Sequence, residues 1–205
     1  MANDPLVEGS IYHVYSKSIS DYVIFNSERD YIRMLEALQF YKDPNAKTRN
    51  SITSPIRQPR SALVQIIAFC LMSTHIHLIL KQLQENGISL YMNKVLNGYT
   101  HYFNARVKRK GPLWEGRFKR KLIENEEYLL HLTRYIHLNP VTAYLVNAPE
   151  EWKYSSFKEY LGEESGICEF KEFIDIASEK YADFVNSRID YQRELATIKH
   201  LVIEP

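Results

Sequence analysis

Met72-Ser73-Thr74-His75-Ile76-His77-Leu78-Ile79-Leu80 is a run of β-branched and aliphatic residues that carries two histidines two positions apart. That composition predicts a strand. Side chains alternate across a strand, so His75 and His77 share one face while Ile76, Leu78 and Leu80 share the other. Two imidazoles on one face are the start of a metal site. A core strand edged by two hydrogen-bonded histidines would read the same way, and the rest of the chain has to decide between them.

Working outward, Ala62 to Phe69 predicts a preceding strand, with a turn near Leu71–Thr74. Gly9 to Lys17 predicts a first strand, with Ile11, His13 and Tyr15 on one face and Tyr12 and Val14 on the other. Ser27, with Asp30 three residues on, marks a helix start. That helix runs to about Tyr41 on the spacing of Tyr31, Met34, Leu35 and Leu38. Lys42 to Arg60, with three prolines, reads as a surface loop. Ser89 to about Arg109 is a second helix that stops at Gly111-Pro112, and Phe118 to Glu124 is a further strand. Asn125 caps a third helix, which Pro140 is expected to interrupt. The first six elements spell βαββαβ. The expected fold is α+β: a ferredoxin-like sandwich with an antiparallel sheet and helices on one face. The helix bearing Tyr135 is an addition to it. Glu151 to Phe157 reads as an aromatic turn packed on the body, and two acidic helical segments are expected from Glu169 to Val202. The division is residues 1–161 as the main domain and 162–205 as an acidic helical C-terminal extension.

The chain has 205 residues, 45% of them apolar and 25% charged, which suits one globular domain with a proper core. Its net charge of +1 hides an uneven distribution. Arg106, Lys108, Arg109, Lys110, Arg117, Lys119, Arg120 and Lys121 stand against the single acid Glu115, whereas residues 163–205 carry ten acids and five bases. A basic middle in a neutral chain points to one localised polyanion-binding surface. Fifteen tyrosines suit base stacking and interface contacts alike. Cys70 and Cys168 lack metal-ligand spacing, and no signal peptide or membrane span is read. A reduced, cytoplasmic protein is expected.

Arg134-Tyr135-Ile136-His137-Leu138-Asn139-Pro140 is the second decisive stretch. Tyr135 and Asn139 are four apart, so a helix projects both from one face. If that face packs on the histidine side of the sheet, His75, His77 and Asn139 become three ligands with Tyr135 beside them. Such a set, with open positions, suits a divalent ion that also binds phosphate oxygens: magnesium first, manganese as an alternative, with zinc compatible with the imidazoles. His137 falls on another side of the helix and reads as structural or surface.

His75-Ile76-His77, Trp114-Glu115-Gly116-Arg117-Phe118-Lys119 and Tyr135-Ile136-His137-Leu138-Asn139-Pro140-Val141 together resemble the single-tyrosine HUH transposases. These are the insertion-sequence-200-like family, and the REP-associated tyrosine transposases within it are the most alike. The likeness spans roughly residues 8 to 161. It implies an enzyme that cleaves and rejoins single-stranded or hairpin DNA. In that reading His75, His77 and Asn139 hold the metal, and Tyr135 attacks phosphorus to form a 5′-phosphotyrosine. It also implies either a homodimer or a monomer. Arg106, Lys108, Arg109, Lys110, Trp114, Arg117, Lys119, Arg120 and Arg134 are the candidate DNA contacts. The chain departs from many relatives at Ser73-Thr74, where they carry Pro-Asn, at Thr142 (arginine) and at Tyr144 (glycine). A hairpin-binding protein without catalysis is the competing function; a replication or relaxase nuclease of the wider superfamily is a third.

Overall fold

The computed structural model describes residues 4–46, 61–164 and 166–203. Its sheet has four strands: β1 (Ile11–Lys17), β2 (Val64–Leu71), β3 (His75–Gln82) and β4 (Lys119–Ile123). They lie in the order β2-β3-β1-β4, and every pairing is antiparallel. Helix α1 (Glu28–Phe40) joins β1 to β2, and α2 (Gly87–Arg106) joins β3 to β4. This is the ferredoxin-like βαββαβ arrangement. The tyrosine helix follows as α3 (Glu126–Thr142), then short α4 (Phe157–Tyr160), α5 (Ser178–Asn186) and α6 (Ile189–Ile203).

The local signals explain the element starts. The Asp30 carboxylate accepts the Ser27 N–H at 3.1 Å, which fixes the entry to α1. Asn125 Oδ1 accepts the Tyr128 N–H at 2.8 Å and starts α3. Several expected bounds move. β3 begins at His75 instead of Met72, because Met72 and His75 exchange the backbone bonds of a tight turn. α2 starts at Gly87, where an added Cβ would lie 2.3 Å from the Leu63 carbonyl oxygen.

Pro140 does not interrupt its helix, contrary to expectation: α3 continues through it to Thr142. A proline this near a C-terminus removes only one late helical bond. The following turn closes through Ala143 N–H to Asn139 O (2.9 Å) and Leu145 N–H to Pro140 O (3.0 Å). Tyr144 sits there at φ 55°, a left-handed position that favours glycine.

Two apolar layers sandwich the sheet. On one side Tyr12 and Val14 of β1 and Ile76, Leu78 and Leu80 of β3, all fully buried, meet Met34 and Leu38 of α1 and Tyr91, Val95 and Tyr99 of α2. On the other, Ile67, Ala68, Cys70 and Ile79 meet Leu129, Leu132 and Ile136 of α3, with Phe157, Tyr181 and Val185 behind. A register shift between Ile66 and Ala68 lets both Ile67 and Ala68 serve this second layer.

Residues of the 162–205 segment thus belong to the second core layer. The two helical segments expected from Glu169 to Val202 form as α5 and α6, but the first starts only at Ser178. Residues 169–177 cross the β2 edge, where the Glu169 N–H reaches Ile66 O at 2.8 Å. Lys42, expected on a surface loop, is buried and pairs with Glu169; residues 47–60 of that loop lie outside the described residues. The 151–157 turn packs its aromatics inward as expected: Tyr154 stacks on Tyr31 at 3.6 Å. Among the described residues, no helix is long and apolar enough to cross a membrane.

Candidate active site

The register of β1 against β3 sets the site. Tyr15 lies opposite His77, and Lys17 opposite His75. On the histidine face the His13 and His77 rings stack at 5.2 Å, and the Tyr15 ring is 5.9 Å from His77. His75 and His77 stand edge to face at 5.1 Å. Helix α3 brings Tyr135 in edge-on, 6.1 Å from the His77 ring, and leaves it partly exposed at 39%. Asn139 is one turn further along the same helix. Its amide nitrogen is buried without a hydrogen-bond partner.

Each histidine has its Nδ1 engaged. Thr74 Oγ1 lies 3.0 Å from His75 Nδ1, and His13 Nε2 lies 3.0 Å from His77 Nδ1. With Nδ1–H donating in both, each Nε2 keeps its lone pair for a ligand. The imidazoles are held neutral, as ligands must be. Burial pushes His75 down to about 4, with Lys17 adding to the effect. Burial also holds His77 well below its ordinary value, reinforced by His13 and His75. His13 falls to about 4 for the same reason, helped by Lys121.

This donor set fits a divalent cation. Among the described residues no three His, Cys, Asp or Glu side chains are arranged to hold a metal, so any third protein ligand would be of another type. Asn139 carries an amide that could serve: a half-turn about its last torsion exchanges the unpartnered buried nitrogen for Oδ1. Burial also raises the Tyr135 phenol above its ordinary value, with Tyr15 contributing.

Beside the histidines lies a cleft of about 280 Å³, walled by Tyr15, Lys17, His75, His77, Arg117 and Lys119 among others. The basic candidates divide around it. Arg117 lines the cleft, and Lys119 lines it with its ammonium 6.0 Å above the Tyr15 ring. Arg120 points to the other sheet face, since it pairs with Val14, and its Nε donates to Asp4 O at 2.6 Å. Arg106 is tied at 2.9 Å to the fully buried Asp30 carboxylate. Arg109 donates to Asn104 Oδ1 (3.0 Å) and Pro112 O (2.6 Å), which braces its own loop. Lys108 and Lys110 are exposed.

Trp114 is 7% exposed, and its indole N–H meets Leu96 O and Thr100 Oγ1 at 3.2 and 3.1 Å. It is a core anchor and offers no open ring for stacking. Arg134 lies over the Phe184 ring at 4.2 Å and contacts His131 Nδ1 at 2.7 Å, away from the basic loop. His137 is wholly buried, bonded to Tyr181 Oη (2.7 Å) and Ser156 Oγ (2.8 Å). It is structural and not a surface residue.

Sequence reasoning missed His13, Tyr15 and Thr74. Alternation had already put His13 and Tyr15 on one face of the first strand. The missing fact was which β3 residues they oppose.

Comparison with known proteins agrees with this architecture. Residues 45–139 match the model of the family described as IS200-like transposases. A REP-associated tyrosine transposase of Haemophilus influenzae is 29% identical, over 54% of this chain and 73% of the relative. The solved structure of a REP-associated tyrosine transposase bound to a REP hairpin superposes with a TM-score of 0.61 at 17% identity. That match covers 87% of this chain and 99% of the other. The fold is therefore shared with that structure. The chain is similar to the IS200-like transposases over residues 45–139, with REP-associated tyrosine transposases among the proteins it resembles.

Proposed function

We propose that this chain cleaves and rejoins single-stranded DNA at hairpins, through a covalent bond to Tyr135. The observation that carries the reading is Tyr135 standing 6.1 Å from His77, beside a second histidine and within one chain. His75, His77 and Asn139 would hold a divalent metal, magnesium or manganese. Bound there, it supplies positive charge against the oxygens of the scissile phosphate. Lys17, Arg117 and Lys119 around the cleft hold the flanking phosphates by charge.

The Tyr135 oxygen forms a bond to phosphorus in line with the leaving group, and its phenol proton is released. The bond from phosphorus to the 3′ oxygen breaks, which leaves a 5′-phosphotyrosine and a 3′-hydroxyl. Attack by another 3′-hydroxyl reverses the step and rejoins strands with no outside energy source. The phenol is raised by burial, with Tyr15 adding to the effect, so it starts protonated.

The hairpin as substrate is supported by the relative solved with a REP hairpin. The test is denaturing electrophoresis of the protein with labelled DNA hairpins and Mg²⁺ or Mn²⁺. The unaltered chain should yield a covalent adduct that chelator prevents. Tyr135→Phe should bind the same DNA and yield none. Cleavage persisting in Tyr135→Phe would overturn the assignment. Binding by the unaltered chain without any adduct would reduce the function to hairpin binding.

A further inference from the structure

His137 sits on the back of the tyrosine helix. It is two residues from Tyr135 and two from Asn139. At about 100° of turn per residue, it points away from both. Its ring is fully buried and enclosed by Phe157, Tyr160 and Tyr181, with ring centroids 5.5, 4.9 and 5.8 Å away. Nδ1 meets the Tyr181 hydroxyl at 2.7 Å, and Nε2 meets Ser156 Oγ at 2.8 Å. A neutral imidazole has one N–H and one lone pair, so the ring donates to one hydroxyl and accepts from the other.

The two partners come from different parts of the fold. Ser156 is fastened to β2: its N–H donates to Phe69 O at 3.0 Å, and its Oγ accepts the Phe69 N–H at 3.0 Å. Phe69 and the next residue, Cys70, pair with Leu78 and His77 of β3. A run of directional bonds therefore leads from the histidine strand through β2 and Ser156 to His137, and so to α3. Tyr181 holds the same ring by its other nitrogen, from α5 in the C-terminal segment. The Tyr181 ring is itself fully buried, against Phe157, Tyr160 and Phe184.

Leu129, Leu132 and Ile136 of α3 meet the sheet through hydrocarbon. Such packing is non-directional, so it opposes separation more than a small rotation or slide of the helix. Two hydrogen bonds at opposite edges of one imidazole are directional, and a satisfied buried network specifies one arrangement. The arrangement matters here, because a displacement of about 1 Å at a reacting group can cost roughly a hundredfold in rate.

Building on the strand-transfer reading, we infer that Tyr181 is a positioning residue for that reaction. Acting through His137, it fixes the rotation of α3 that sets Tyr135 and Asn139 against the paired histidines. The C-terminal segment is then part of the catalytic assembly and not an appendage to it.

The test compares two variants of α5 in the full chain. Tyr181→Phe deletes the hydroxyl and leaves a nitrogen of His137 unpaired. Val185→Ala removes buried methyl groups from the same helix and leaves the brace intact. Both should melt below the unaltered chain, so the comparison is made at a temperature where all three are folded. The first readout is fluorine NMR of chains carrying fluorotyrosine in place of Tyr135, without DNA or metal. Tyr181→Phe should shift or broaden that resonance, and Val185→Ala should leave it in place. The second readout is single-turnover adduct formation with saturating hairpin DNA and Mn²⁺. Tyr181→Phe should be slower by roughly tenfold to a hundredfold with unchanged hairpin affinity, while Val185→Ala keeps the unaltered rate. An unmoved resonance in Tyr181→Phe would overturn the inference, as would equal rates in the two variants. Absence of adduct from the unaltered chain is failure of the strand-transfer reading itself, whereas the resonance reads the hold on Tyr135 with neither DNA nor metal present.

Discussion

The two faces of β3 differ in what neighbouring residues do. Ile76, Leu78 and Leu80 are fully buried under α1 and α2, with apolar neighbours on every side. One position along, His75 and His77 are also largely removed from water, but their neighbours are Thr74, His13, Tyr15 and Tyr135. Burial stabilises the first face by removing hydrocarbon from water. On the second face the same burial keeps imidazoles neutral and orients them, which is a chemical and not a stabilising use of the core. The helix that covers this second face makes the difference. α3 packs its apolar residues over β2 and brings Tyr135 to the histidines at its exposed margin.

Adjacent substitutions should therefore separate cleanly. His77→Gln is expected to remove metal-dependent adduct formation altogether while unfolding stability changes by under about 1 kcal/mol, since an amide keeps a polar group opposite His13. Leu78→Ala should cost about 2–5 kcal/mol by opening a cavity, yet leave the folded fraction able to form the adduct. Denaturant titration and the adduct assay on both variants decide it. An active His77→Gln, or a Leu78→Ala that keeps full stability, would erase the contrast between the faces.

Much of this contrast was legible in the sequence, and the limits have physical causes. Alternation along β1 and β3 separates the faces without any structure, and the i, i+4 spacing puts Tyr135 and Asn139 together. The pairing of Tyr15 with His77 was not legible, because antiparallel register depends on the whole sheet and not on either strand. The basic stretch misleads for a related reason. Arg106 and Arg109 look like neighbours of Arg117 in sequence, but Asp30 and the loop carbonyls engage them, and both partners are set by folding. Pro140 signalled a break, but only three further residues are needed to close the helix end.

His13 tests whether the histidine face is organised beyond its proposed ligands. Replacement by phenylalanine keeps a flat ring against Tyr15 but deletes the acceptor for His77 Nδ1–H. Metal affinity should fall about 10–100-fold, as for other partners of ligating histidines. The maximal cleavage rate at saturating metal should fall far less. His13→Gln, which restores an acceptor, should recover much of the loss. Titration calorimetry with Mn²⁺, together with adduct yield against metal concentration, reads both effects. An unshifted metal midpoint in His13→Phe would mean that the contact only fills space.

The smallest effect belongs to the brace behind the tyrosine helix. His137 is buried between Tyr181 and Ser156, and burial lowers it to about 3. In the unfolded chain the same group titrates near 6.5. Between those values the unfolded state binds the extra proton, so stability falls as pH drops from about 6.5 toward 3 and is fully present above 6.5. His13, His75 and His77 are shifted in the same direction, so the acid limb of the metal-free protein sums four such groups. His137→Asn, which keeps polar atoms for both partners, should lower the plateau at pH 8 and remove about one proton from the slope near pH 5. That is roughly 1.4 kcal/mol per pH unit. Urea unfolding at a series of pH values in the presence of chelator measures the slope. An unchanged slope would show that His137 does not contribute a proton to the acid limb, and that the three histidines of the catalytic face account for it alone.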